Sequence, residues 1–172
     1  CRAIKCLGFG SGPWFDFAKI GFNAKMNDLT AAVGLDSLEQ FDETFARRRE
    51  VRQKLIEALS PMEDKLILYR DGPGEVISPH AFPIVLRDEV ADIRLLYSYM
   101  EKASIEVKTL FGSLPTGHAA FRFLGHKLGD FPIAESIGRR GFHFSCSQFL
   151  TDDDIIYIAE TIGKFFLDNE NA

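Results

Sequence analysis

The strongest constraint on the fold is a helical pattern that runs from Asn27 to Leu59. Asn27 is a favourable N-cap, and Asp28 places a carboxylate in the first turn, where the helix dipole stabilises it. Apolar residues recur at helical spacing at Leu29, Val33, Leu38, Phe41, Phe45, Val51, Leu55 and Leu59. One helix of this length is about 50 Å long, which exceeds what the core of one small domain covers. We therefore expect its first half to pack against a missing domain, a second subunit or both.

The apolar positions of this segment do not share one helical face. From Phe45 to Val51 the chain advances by six residues, or about 240° at roughly 100° per residue. The helix therefore either kinks near Arg47-Arg48-Arg49 or is buried on different sides along its length. The three arginines are either an anion site or a solvated stretch that makes i,i+4 pairs such as Glu43 with Arg47, and the pattern favours the second.

After Pro61 the sequence alternates between short strands and helices. Strands are predicted over 66–69, 81–86, 105–111 and 142–146. Pro83 implies an edge position or a bulge for the second of these strands. Helices are predicted from Ile93 to Met100 and after Thr151, which can form a capping box with Asp154. The sum is an α+β, two-layer domain, in which a long N-terminal helix leads into a small, mostly antiparallel sheet with helices on one face.

Composition and spacing exclude several classes of function. The net charge of −5 and the pI near 5.4 argue against nucleic acid or an anionic membrane as a partner. No apolar run approaches about 18 residues, so no transmembrane helix is predicted. The three cysteines form no metal-binding pattern, which is typical of a cytoplasmic protein with free thiols. No metal site is predicted, because the histidines are scattered at His80, His118, His126 and His143.

The segment from Gly21 to Leu29 combines an amide, an ammonium group and a helix N-terminus, a combination suited to a phosphate. From the residues alone, this segment is equally an N-capped helix start with an exposed lysine at Lys25. Residues 1–7 have the pattern of a short strand, and the glycines from Gly8 to Pro13 indicate an irregular loop. The chain opens at Cys1 without a methionine, as expected of the inside of a longer protein.

Several segments, in the same order and at the same spacing, resemble the DegT/DnrJ/EryC1/StrS family of sugar aminotransferases that depend on pyridoxal 5′-phosphate (PLP). The matching segments are Gly21–Leu35, Arg47–Arg49, Pro79–Val85, Gly129–Glu135 and Leu150–Ile155. A weaker likeness, at Leu114–Thr116 and Leu124–Lys127, is to perosamine-synthase-like members. The resemblance implies that residues 1–26 end the large PLP domain, 27–60 form a long interdomain and dimer helix, and 61–172 form the small domain of a fold-type I aminotransferase.

The resemblance also implies site residues. The Schiff-base lysine is expected upstream of Cys1, so the chain itself carries no catalytic residue and is expected to be inactive alone. Asn23 and Lys25 match positions that contact the PLP phosphate of the neighbouring subunit in a homodimer formed through residues 27–45. Lys25 stands where arginine is commoner, and it can neutralise a phosphate but cannot bind it in bidentate fashion. His80 matches a position near the nucleotide-sugar substrate, or is a strand-end histidine satisfied by backbone.

The implied chemistry has two forms. With a lysine upstream, the enzyme transfers an amino group from a glutamate-type donor to a nucleotide-linked keto-sugar. With a histidine there, the same scaffold eliminates a hydroxyl group, as in the related sugar 3-dehydrases. His143 and Ser147 flank another possible substrate-side segment, although many relatives carry a histidine near Ser147. A non-catalytic binding or dimerisation module is a third reading, although such a module would not leave the apolar helix from residue 27 without cover.

Overall fold

The computed structural model describes residues 20–87, 92–110 and 114–170 of the 172 residues. The strand expected over residues 1–7 and the loop from Gly8 to Pro13 lie outside the described residues. The chain divides into two compact units, residues 1–42 and residues 43–172. The division falls within the segment predicted as the long helix. Within the described residues, every helix is too short or too polar to cross a membrane.

The described part of the first unit is built on helix α1, Asp28–Glu39. The side chain of Asn27 caps it, because Oδ1 of Asn27 accepts a hydrogen bond from the backbone N–H of Thr30 at 2.8 Å. The predicted N-cap is therefore confirmed. None of the twelve residues of α1 is buried. The first half of the predicted helix thus presents its apolar residues to solvent in the isolated chain.

The prediction of one uninterrupted helix over residues 27–59 is wrong at Gln40. Helix α1 ends there, with the Gln40 N–H bonded to the Asp36 carbonyl, and helix α2 runs from Phe41 to Leu59. A one-residue interruption hardly changes the spacing of apolar residues, so periodicity does not reveal it. Helix α2 continues through the three arginines at 47–49, where the sequence allowed for a kink, and its buried residues lie in its second half, from Val51 to Leu59.

The second unit contains a four-stranded antiparallel sheet within the described residues. Its strands, in the spatial order β1-β2-β4-β3, are β1 Leu66–Leu68, β2 Ala81–Leu86, β3 Val107–Thr109 and β4 Gly141–Ser145. The register pairs Ile67 with Val85 and Phe82 with Phe144. The α+β fold predicted from the sequence is confirmed, including its antiparallel sheet.

Helices α3 Ile93–Lys102 and α5 Asp152–Glu170 join the second half of α2 in one core with the sheet. The largest fully buried side chains of this core are Phe82, Phe142, Phe165, Leu55, Leu59, Leu66, Ile84, Leu86, Leu96, Met100, Ile162 and Val51. The short helix α4, Pro132–Arg140, shares a cavity lining with Ile67 and Val85, whose side chains alternate with those of the core. Helix α4 therefore covers part of the opposite face of the sheet.

Two local predictions have different outcomes. Thr151 and Asp154 form the predicted capping box, with Thr151 N–H donating to Asp154 Oδ2 at 2.9 Å and Asp154 N–H donating to Thr151 Oγ1 at 3.2 Å. The expectation of a bulge at Pro83 is wrong, because β2 pairs with β4 in unbroken register, and the expected edge position holds only locally, because β2 as a whole lies inside the sheet. Proline is tolerated because β1 pairs only with residues 84–86, so β2 lacks a described strand partner beside Pro83 on that side.

Candidate functional site

The predicted cofactor residues, Asn23 and Lys25, are exposed in the segment that precedes α1. At the start of this helix, the backbone N–H of Thr30 already donates a hydrogen bond to the side chain of Asn27. The helix therefore offers fewer free N–H groups to a phosphate than its sequence suggests. What remains available is the side-chain amide of Asn23 and the ammonium group of Lys25, and the described ion pairs do not include Lys25.

An amide donor and an ammonium group two residues apart fit one feature of PLP, its phosphate. The ammonium group supplies a compensating charge, and the amide supplies a directional hydrogen bond. Residues 20–42 offer these two side chains as polar contacts and do not by themselves enclose a cofactor. The fit therefore concerns the phosphate group alone.

Large apolar side chains recur at short intervals from residue 20 to residue 41, before and after Asn23 and Lys25 in the sequence. All are between 51% and 97% exposed, and they are Ile20, Phe22, Met26, Leu29, Val33, Leu35, Leu38 and Phe41. Single exposed apolar residues are ordinary, whereas a concentration of this kind marks an interaction surface. We call these eight residues the apolar segment.

His80 lies at the start of β2 and lines a cleft of about 210 Å³. The cleft is also lined by Ala81, Glu106, Lys108, His143, Phe144 and Ser145. Side chains alternate along a strand, and Phe82 and Phe144 point into the core. Their neighbours Ala81, His143 and Ser145 therefore point to the opposite face of the sheet. The cleft lies on that face, and the described hydrogen bonds give the His80 imidazole no backbone partner.

The electrostatics of this cleft depend on three nitrogen-bearing side chains. The pKa of His143 lies below its ordinary value of 6.5, first because it is partly buried and then because His80 and Lys108 repel its charged form. Lys108 Nζ lies 3.1 Å from Glu106 Oε1. His80 and His143 thus line the same cleft. They are 63 positions apart in the sequence, so neither spacing nor periodicity could predict this. Asn23 and Lys25 do not line this cleft and belong to the first compact unit.

Arg47, Arg48 and Arg49 are half-buried, so the expectation of a solvated stretch holds only in part. Arg48 donates from Nε to Gln148 Oε1 at 2.9 Å and from Nη1 to the Pro79 carbonyl at 3.4 Å. Arg47 donates to the carbonyl of Leu150 at 3.0 Å. The predicted pairing with Glu43 is replaced by an ion pair between Arg47 and Glu50 at 2.8 Å. The guanidinium groups of Arg47 and Arg48 are therefore bound by protein acceptors. Through these bonds, the two arginines anchor the chain next to His80, at Pro79, and next to Ser147, at Gln148 and Leu150.

Arg52 is a structural residue that sequence reasoning missed. Only 8% of it is exposed, and it donates to Asp71 Oδ1 at 2.7 Å and to the Tyr69 carbonyl at 2.6 Å. Asp71 also accepts from Arg49 at 3.3 Å. These bonds hold the start of the segment 69–80, which leads to His80, against α2. The sequence offered one sign of its burial, which is that Arg52 lies between the apolar residues Val51 and Leu55 of α2.

Comparisons with known proteins give consistent findings. A family model described as the DegT/DnrJ/EryC1/StrS aminotransferase family matches residues 1–163. The chain is 27% identical over 171 residues to GDP-perosamine synthase of Escherichia coli O157:H7, a match that covers 95% of this chain and 44% of that protein. It is 27% identical over 159 residues to dTDP-4-dehydro-2,6-dideoxy-D-glucose 3-dehydratase of Saccharopolyspora spinosa, covering 88% of this chain and 33% of that protein.

The fold is similar to that of solved relatives. A DegT DnrJ EryC1 StrS aminotransferase from Brucella abortus superposes with a TM-score of 0.82 at 20% identity. The match covers 95% of this chain and 42% of that one. At this identity, the similarity demonstrates the fold. The chain thus spans less than half the length of each of these three relatives.

Proposed function

Since the chain belongs to the DegT/DnrJ/EryC1/StrS aminotransferase family, we propose that it is the C-terminal portion of a PLP-dependent enzyme that aminates a nucleotide-linked keto-sugar. The family match over residues 1–163 carries this proposal. The amino donor is of the glutamate type. The lysine that binds the cofactor belongs to the part of the relatives that this chain does not span, and the chain alone is inactive. In the complete enzyme the large domain ends near residue 26, residues 27–60 link the domains and the subunits, and residues 61–172 form the small domain.

PLP supplies the electron sink for amino transfer when it is bound. This chain contributes to holding the cofactor of the neighbouring subunit. Lys25 neutralises part of the charge of the phosphate, and the Asn23 amide donates a hydrogen bond to it. The exposure of both side chains supports this role, because neither is engaged by the described ion pairs or side-chain hydrogen bonds of its own chain.

The complete enzyme is a homodimer that associates through residues 27–45. The apolar segment supports this proposal, because eight large apolar side chains remain exposed on and before α1 and at the start of α2. A symmetric pair of such segments would cover one another, and each would bring Asn23 and Lys25 toward the partner subunit. The proposed enzyme is cytoplasmic.

His80 contacts the nucleotide-sugar. This proposal is supported by the cleft on the face of the sheet opposite the core, which the exposed His80 imidazole lines together with His143 and Lys108. The anchoring of the preceding residue, Pro79, to Arg48 restricts where His80 can lie. Restricting a binding side chain in the free protein lowers the entropic cost of binding.

A second candidate is a sugar 3-dehydratase of the same family. The relative from Saccharopolyspora spinosa supports it, because its identity to this chain equals that of the perosamine synthase. The two reactions differ in the upstream residue at the lysine position, so the present residues are compatible with either.

The test uses a longer protein that joins this chain to the large domain of its parent sequence. Purified with PLP, it is incubated with L-glutamate and a nucleotide-linked 4-keto-sugar, and 2-oxoglutarate and the sugar product are measured. Equal amounts of 2-oxoglutarate and amino-sugar support the aminotransferase. A parallel reaction contains pyridoxamine 5′-phosphate in place of PLP and L-glutamate. Loss of the sugar 3-hydroxyl with conversion of an equal amount of pyridoxamine 5′-phosphate to PLP supports the dehydratase, because replacing C–OH by C–H consumes two electrons. Absence of both reactions for a panel of such sugars would overturn the proposal, with the 172-residue chain as the inactive control.

A further inference from the structure

The cleft beside His80 carries more potential positive charge than negative charge. Lys108 and His143 lie directly opposite one another on β3 and β4. Side chains paired in this way have Cβ atoms about 5 Å apart. Among the residues that line the cleft, Glu106 supplies the carboxylate, and it pairs with Lys108 at 3.1 Å. One carboxylate thus faces a lysine and two imidazoles, so the cleft has more hydrogen-bond donors than this carboxylate can engage.

The position of the cleft on the sheet makes its shape stable. Ala81 pairs with Ser145, and Pro83 and Lys108 lie on either side of His143 in the paired strands. The floor is therefore formed by hydrogen-bonded strand residues rather than by a free loop. A rigid floor of this kind holds charged groups close together without requiring them to be ordered on binding.

We propose that this cleft binds the diphosphate of the nucleotide-linked sugar, with Lys108 as its cationic contact and the His143 imidazole and the Ser145 hydroxyl as hydrogen-bond donors. The proposal rests on the proposed function, and it names the part of the substrate that the His80 region recognises. The volume of about 210 Å³ is smaller than the roughly 300–1,000 Å³ of sites that enclose a whole small-molecule ligand. It therefore accommodates the charged centre of the substrate and leaves the base and the sugar outside.

Direct binding to the chain tests the assignment without PLP chemistry. The imidazole signals of His80 and His143 are followed by NMR during titration with GDP-mannose at constant pH and ionic strength. Inorganic pyrophosphate, guanosine and pyridoxamine 5′-phosphate are titrated separately. We expect GDP-mannose and pyrophosphate to shift the His143 signals, with guanosine inactive. A stronger response to pyridoxamine 5′-phosphate than to both diphosphates would overturn the assignment in favour of a cofactor-phosphate site.

Variants separate a charge effect from a loss of structure. Lys108→Met removes one charge-assisted contact and is expected to weaken GDP-mannose binding by about tenfold. Glu106→Gln removes the competing carboxylate and is expected to strengthen binding. Lys102→Met, at the end of α3, is the matched control and should bind as the unchanged chain does. Opposite effects at Lys108 and Glu106 cannot come from a common folding defect, whereas equal affinities for all four proteins would overturn the proposal.

Failure of the diphosphate assignment and failure of the proposed function give different results. If the longer protein converts its keto-sugar but GDP-mannose and pyrophosphate leave the His143 signals unchanged at millimolar concentration, the diphosphate assignment is wrong and the enzymatic proposal stands. If the cleft binds both diphosphates but the longer protein catalyses neither reaction, the assignment of the anion site stands and the enzymatic proposal fails.

Discussion

Arg52 donates a hydrogen bond from Nη1 to Oδ1 of Asp71 at 2.7 Å, and this pair fixes the segment after β1 to α2. The Arg52 side chain is 9% exposed and that of Asp71 is 21% exposed, so water screens the pair only in part. Removing one partner of a largely buried ion pair leaves the other charge without compensation.

We therefore expect Asp71→Ala to lower the free energy of unfolding by about 3 kcal/mol, because Arg52 stays buried without its carboxylate. Urea denaturation followed by circular dichroism measures this change. Asp64→Ala, at an exposed position, is the control and should cost at most about 0.5 kcal/mol. Equal effects of the two substitutions would show that the Arg52–Asp71 pair does not stabilise the fold.

Tyr97 has a buried hydroxyl group with no hydrogen-bond partner among the described residues. Burial raises the pKa of Tyr97 to about 12. Because the unpaired hydroxyl was removed from water without compensation, Tyr97→Phe should stabilise the chain by up to about 1 kcal/mol.

Tyr157 provides the matched comparison, since its hydroxyl donates to the Ala103 carbonyl at 3.0 Å. Tyr157→Phe should lower the free energy of unfolding by about 1 kcal/mol, because it leaves that carbonyl without this donor. Urea denaturation of both variants tests the contrast. A destabilising Tyr97→Phe change would mean that its hydroxyl has a partner, such as an ordered water.

His143 gives the fold a pH dependence with a definite sign. Its folded-state pKa is below 6.5, so the unfolded state takes up a proton more readily than the folded state does. Stability associated with this group is therefore complete above about pH 6.5 and falls as the pH is lowered through the folded-state pKa. Comparing urea unfolding at several pH values, we expect His143→Gln to reduce the loss on acidification. An undiminished loss of stability on acidification in His143→Gln would contradict this role of His143.

The apolar segment predicts self-association of the chain. Val33→Glu together with Leu38→Glu places two charges on α1, where burial against a second copy would be costly. Sedimentation velocity should detect a dimer for the unchanged chain and a monomer for the double variant. Leu95→Glu, a single exposed apolar position on α3, should not alter the mass. A monomeric unchanged chain at all concentrations would contradict the proposed interface.

The sequence predicted the second compact unit well because its elements repeat a simple pattern. Ile155, Ile158 and Ile162 recur on one face of α5, and all three are buried. Phe142 and Phe144 alternate with His143, as expected for a strand that is buried on one side. In each case one face of a regular element meets one core, so periodicity contains the needed information.

The predictions failed where the decisive partner lies far along the chain. Arg48 has a Gln148 side chain and a Pro79 carbonyl as acceptors, and no local pattern indicates either. The break at Gln40 leaves apolar spacing almost unchanged. Bringing His80 next to His143 required the pairing of β2 with β4, which spacing alone does not provide. Strand order therefore limited the prediction of the candidate site.

In the proposed dimeric PLP enzyme, this chain contributes Asn23 and Lys25 to the partner subunit's site. The most direct test of this contribution is complementation between two inactive forms of the longer protein. In one form, the upstream residue at the position of the cofactor-binding lysine is replaced by alanine. The other form carries Asn23→Ala with Lys25→Ala. Mixed dimers contain one site with both contributions intact, so their mixture should recover about a quarter of the unchanged activity. Mixed dimers that form and show no recovery would contradict the claim.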